Sequence, residues 1–176
     1  RICRRSATPV AGTFAGDKNR TITLERTTMD SLSKLIDHMI WANGAWRRFV
    51  EQAAPNDAFL AKIVSHLYLA EQVWLQRIAG EPVDAEVFRT RGADELDRMM
   101  SAHPVRFHEL IASDISRVVA YQRFNGDAYE ATVEEILLHL ITHASHHRGQ
   151  MAPYAVKLGL QALNTDYINY SLRGRA

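Results

Sequence analysis

The sequence predicts an all-α protein, a four-helix bundle with a short β-hairpin ahead of its last long helix. Three observations carry this. Apolar residues recur at three- and four-residue steps over four long segments, an Asn-Gly pair with β-branched and aromatic neighbours interrupts them once, and helix start and stop signals bracket the segments.

The first periodic segment begins at Met29 and runs through Leu32, Leu35, Ile36, Met39, Ile40, Trp46, Phe49 and Val50, ending before Pro55. The second starts at the Asn56/Asp57 cap and follows Leu60, Ile63, Val64, Leu67, Ala70, Trp74 and Ile78 to Gly80, with Pro82 beyond. A link of about a dozen residues, EPVDAEVFRTRGA, comes next. Extended chain covers about 3.3 Å per residue, so this link can run the length of a bundle, and helices two and three need not be antiparallel neighbours. From Asp94 the residues Leu96, Met99, Met100, Phe107, Leu110 and Ile111 keep helical phase across Pro104, where a kink or reset is expected. The stretch RVVAYQRFNGDAYEA, residues 117–131, reads as a hairpin turning at Asn125-Gly126. Thr132 and Glu135 form a capping box, after which Val133, Ile136, Leu137, Leu140, Ala144, Met151, Tyr154, Ala155 and Leu158 make one stripe, bent at Pro153 and ended by Gly159. The aromatic TDYINYSL should lie across a bundle end.

Composition narrows the function. With 47% apolar and 23% charged residues, the 176-residue chain suits one globular domain, read as residues 28–176. Residues 1–27 read as a disordered extension of net charge +4; the whole chain is +1, so the rest is −3. A slightly acidic body argues against nucleic-acid binding, and no apolar run reaches the length of a membrane span. The single cysteine, Cys3, excludes an internal disulfide and a Cys-based metal cage and fits a cytoplasmic setting.

HLITHASHHRGQM, residues 139–151, holds four of the eight histidines within nine positions. At 100° per residue His143 and His147 face inward one turn apart, while His139 and His146 lie on the flank. Residues four apart on a helix can share one divalent ion. A third imidazole is available from His66 on helix two, and three neutral nitrogens leave open positions, the arrangement of a catalytic rather than a structural zinc site. An isolated His66 would more often be an ordinary hydrogen-bonded histidine; its conjunction with the inward pair favours metal. His38, His103 and His108 lack matching partners and read as surface or satisfied side chains. Arg148 is expected to face solvent or pair with a carboxylate, and Gly149 to permit close helix contact. Trp41, Trp46 and Trp74 read as core. Position 144 is Ala, so the metalloprotease pattern carrying its own Glu base is absent, and so are paired Glu-x-x-His motifs of di-iron bundles.

His143, two variable positions, then His-His-Arg-Gly-Gln to Gln150, with the lone His66, "WAN" at Trp41–Asn43 and "DYINY" near the end, resembles the DinB/YfiT-like family over residues 29–172. The resemblance implies an up-down-down-up bundle, frequent dimers, and a divalent ion (zinc, nickel, iron or manganese) on His66, His143 and His147. It also implies chemistry found among relatives, which include S-transferases using low-molecular-weight thiols and hydrolase-like members. The expected function is therefore a mononuclear metalloenzyme acting on a small molecule, with zinc or nickel foremost and a small thiol as possible co-substrate. The rival expectation is a non-catalytic, metal-binding stress-response bundle. Gln150, Asn43, Glu71 and Tyr167 are the candidates for orienting the imidazoles.

Overall fold

The computed structural model describes residues 18–83 and 86–173, with side-chain surroundings from residue 29 onward. Its elements are α1 (Lys18–Ala53), α2 (Ala58–Ala79), α3 (Ala93–Ile111), β1 (Val118–Gln122), β2 (Ala128–Thr132), α4 (Val133–Lys157) and α5 (Tyr167–Ser171). Helix α1 begins eleven residues before Met29, so residues 18–27 of the expected extension are helical, and residues 1–17 lie outside the described part. The sequence from Lys18 to Met29 has no Gly or Pro, and a helix anchored by packing propagates cheaply through such a stretch.

Cross-links between helices fix their directions. Arg47 meets Asp97 and Asp37 meets His108, so α1 and α3 run oppositely. The Glu71–His103 and Leu75–Arg106 contacts advance together, so α2 and α3 are parallel. Tyr154 bonds Asp57 and His139 packs on Trp74, so α4 opposes α2. The order is up-down-down-up, so the parallel helices α2 and α3 are consecutive in the chain.

Local chemistry explains the ends. Asp57 accepts from the Leu60 amide at the start of α2. Gly80, at φ 70°, closes α2 by donating to the Arg77 carbonyl while Glu81 donates to that of Gln76. The capping box of α4 is complete: Glu135 N–H donates to Thr132 Oγ1 and Thr132 N–H to Glu135 Oε2. Gly159, at φ 78°, ends it in the same way as Gly80. Pro104 and Pro153 both sit inside continuous helices, so neither resets its helix. In the hairpin only Gly126 has positive φ, and a five-residue loop joins the strands through Gly126 N–H to Arg123 O and Arg123 N–H to Asp127 O.

The core is one continuous cluster. Ile36, Met39 and Trp46 of α1, Leu60, Leu67 and Leu75 of α2, Phe107 of α3 and Ile136, Leu137, Leu140 and Met151 of α4 are almost completely enclosed. Each such side chain contributes roughly 1.5–3 kcal/mol of transfer free energy, so the fold's driving force resides here and not in polar contacts. Trp74 is half-buried against this core, whereas Trp41, expected in the core, is half-buried outside the cluster and packs on the rings of His38 and Tyr170.

Candidate metal centre

Helix α4 presents His143 and His147 one turn apart on the side facing α2, and α2 returns His66 toward them. His66 Nε2 stands 3.3 Å from His143 Nε2, and His147 Nε2 stands 3.2 Å from it. One ring nitrogen from each residue lies within 4.8 Å of the others. Nitrogens bound tetrahedrally at 2.0–2.1 Å are about 3.4 Å apart, so two of the separations already match a zinc-like site.

Hydrogen bonds behind the rings set what those nitrogens can do. His66 Nδ1 is 2.8 Å from the Val87 carbonyl, an obligate acceptor, so this nitrogen carries the proton and Nε2 presents a lone pair. His147 Nδ1 is 2.9 Å from Gln150 Oε1, which orients it likewise, and the Gln150 amide nitrogen in turn reaches His146 Nε2 at 2.9 Å. Two lone pairs thus face His143 Nε2, which can donate one proton to only one of them. A cation at the meeting point satisfies all three.

Electrostatics favour the neutral form of His143 and of His66. Burial first, then the neighbouring His147 and His66 imidazoles, push His143 down to about 3. His66 is also lowered, chiefly by burial, against the opposing Val87 hydrogen bond. The ring of Phe88 stacks on His66 at 4.4 Å and 6°, covering one face while remaining open to solvent.

Of the four expected orienting side chains, Gln150 alone touches a histidine of the cluster. Asn43 and Glu71 instead belong to a buried network across the bundle: Arg148 Nη1 donates to Asn43 Oδ1 at 2.7 Å, Asn43 Nδ2 to Glu71 Oε1 at 2.8 Å, and His103 Nδ1 meets Glu71 Oε2 at 2.8 Å. Tyr167 packs edge-on against His38, 5.4 Å between ring centres, at the far side of α1. Arg148, expected at the surface or on a carboxylate, is 5% exposed and held by two neutral oxygens, because residue 148 falls a further 100° round α4, toward α1. Gly149 gives no close helix contact: a Cβ there would meet nothing within 4 Å. His38, His103 and His108 are satisfied by Thr165 O, by Glu71 with Gln72, and by Asp37. His139 and His146 lie exposed on the flank of α4.

Sequence reasoning missed Val87 and Phe88. A backbone carbonyl has no side-chain signature, and one aromatic in a polar link gives no periodicity to read.

Among the described residues no helix is long and apolar enough to cross a membrane. A sequence profile of the DinB family matches residues 28–173. The chain is also similar to the protein DinB of Bacillus subtilis (strain 168), with 21% identity over 162 residues that span 78% of this chain and 92% of that one.

Proposed function

The chain belongs to the DinB family, and from that premise we propose that it is a mononuclear metalloenzyme whose divalent ion is held by His66, His143 and His147 and whose substrate is a small molecule. The observation that carries the reading is the convergence of three imidazole nitrogens within 4.8 Å, two of them set as lone-pair donors by Val87 O and Gln150 Oε1. All-nitrogen donors suit zinc and nickel first, with iron and manganese also accepted by imidazole.

When bound there, such an ion supplies Lewis acidity, bringing the pKa of a coordinated thiol or water toward neutrality. The chain's own groups do the rest. Val87 and Gln150 hold two rings in one tautomer, and Phe88 shields the His66 side from water. Cys3 is the only cysteine, so a thiol nucleophile would be a small co-substrate, attacking a small electrophile as in the S-transferases of related bundles; with water the outcome is hydrolysis.

The rival reading, a metal that serves only the fold, is disfavoured by the hydrophobic core. That cluster is continuous through all four long helices without the three histidines, so the fold is expected to persist when the ion is removed.

The test is metal analysis of the purified protein beside His66→Ala and His147→Ala, joined to a screen of small thiols with an electrophilic acceptor. The reading expects one ion per chain in the wild type, loss in both variants with the helical signal kept, and metal-dependent turnover. Full metal content in either variant overturns the ligand set; unfolding on metal removal supports the structural rival.

A further inference from the structure

Arg148 poses a question the metal centre does not answer. It is 5% exposed, yet among the described residues it forms no ion pair. Its guanidinium carries five N–H groups, of which Nη1 gives one to Asn43 Oδ1 at 2.7 Å and Nη2 one to Ser145 Oγ at 3.0 Å. Glu71 acts on it only from beyond Asn43, and that carboxylate is already shared with His103. A cation taken out of water costs several kcal/mol unless paired, so an enclosed arginine with only neutral partners calls for an anion.

The space for one adjoins it. Arg148 lines a cavity of about 570 Å³ between α1, α4 and the segment leading into α5. That volume lies in the range of small-molecule sites. Ser145 shares the polar end, while Leu35, Trp46, Ile141 and Leu163 supply apolar wall. The outer wall is fastened: His38 Nε2 lies 2.7 Å from Thr165 O, tying the 163–166 segment to α1. Asp166, exposed on the same cavity, would repel negative charge and so directs an anion's charged end inward to Arg148.

We propose that this cavity is a second ligand site, taking a small organic carboxylate whose charged head meets the planar Arg148 fork and whose apolar body lies against Trp46, Leu35 and Leu163. The fork matches a carboxylate in two parallel N–H···O bonds, which a point charge such as Lys does not offer. The site is separate from the three histidines. None of them lines it, and residue 148 points about 100° away from residue 147 around α4.

The experiment is calorimetric titration of the full chain with benzoate, against its uncharged analogue benzamide, on metal-stripped and on zinc-loaded protein. Saturable benzoate binding, equal in the two metal states, with benzamide at least about tenfold weaker, is the expected result. Arg148→Met should weaken benzoate about tenfold or more. Ala162→Trp, a change in the loop wall that crowds the cavity and keeps Arg148 itself, should abolish it while leaving the helical signal unchanged. Equal affinity for benzoate and benzamide, full affinity in Arg148→Met, or full affinity in Ala162→Trp overturns the proposal. Binding seen only after zinc loading also overturns it, since the carboxylate would then sit on the metal; failure of zinc itself to bind leaves the benzoate result standing and counts only against the metal centre.

Discussion

Gln150 does for His147 what the Val87 carbonyl does for His66, and it does so as a side chain that can be replaced. Gln150→Leu keeps the volume and removes the acceptor 2.9 Å from His147 Nδ1. With the tautomer and ring no longer held, zinc affinity should fall by about 10- to 100-fold, read by competition with a chromophoric chelator; unchanged affinity would show that the contact is idle. The charge state of His143 makes a second prediction at this scale. Its value falls from 6.5 unfolded to about 3 folded, chiefly through burial. Between those values the unfolded chain binds a proton that the folded, metal-free chain refuses, so the stability fully present above pH 6.5 is withdrawn as pH falls through this window. Urea midpoints of the metal-free protein should drop from about pH 7.5 to about pH 5, and His143→Gln should reduce that drop. A variant with the same pH slope as the wild type would contradict the assignment.

At the level of elements, two glycines separate conformation from contact. Gly80 closes α2 at φ 70° and Gly149 lies in the body of α4, and a Cβ at either would meet nothing within 4 Å. Gly80→Ala should therefore cost about 1 kcal/mol from the left-handed backbone alone. Gly149→Ala should stabilise by about 0.5–1 kcal/mol through helix propensity. Chemical denaturation measures both, and equal signs would refute the argument. Such endings were legible in the sequence, as were the Thr132/Glu135 box and the hairpin, because each rests on neighbours within about four positions. The start of α1 was not: the residues before Met29 show no apolar stripe, and their helix extends from one packed further on. The inward turn of His143 and His147 followed from periodicity. What faces Arg148 did not, since that depends on where α1 lies across from α4, a tertiary fact with no local signal.

Across the whole molecule, the Arg148–Asn43–Glu71–His103 chain joins α4, α1, α2 and α3 through hydrogen bonds of 2.7–2.8 Å in the interior. Glu71 is its one carboxylate. Glu71→Ala takes the acceptor from Asn43 and from the enclosed His103 and should cost about 1–3 kcal/mol, seen as a lower urea midpoint; an unchanged midpoint would mean that water replaces it freely. The same four helices hold the three imidazoles in register, and the central claim is that these meet on one ion. Anomalous diffraction from zinc-soaked crystals tests it most directly. The account predicts a single strong peak about 2.0–2.1 Å from one ring nitrogen each of His66, His143 and His147. A peak elsewhere, such as between His146 and Gln150, with none among those three rings, would contradict it.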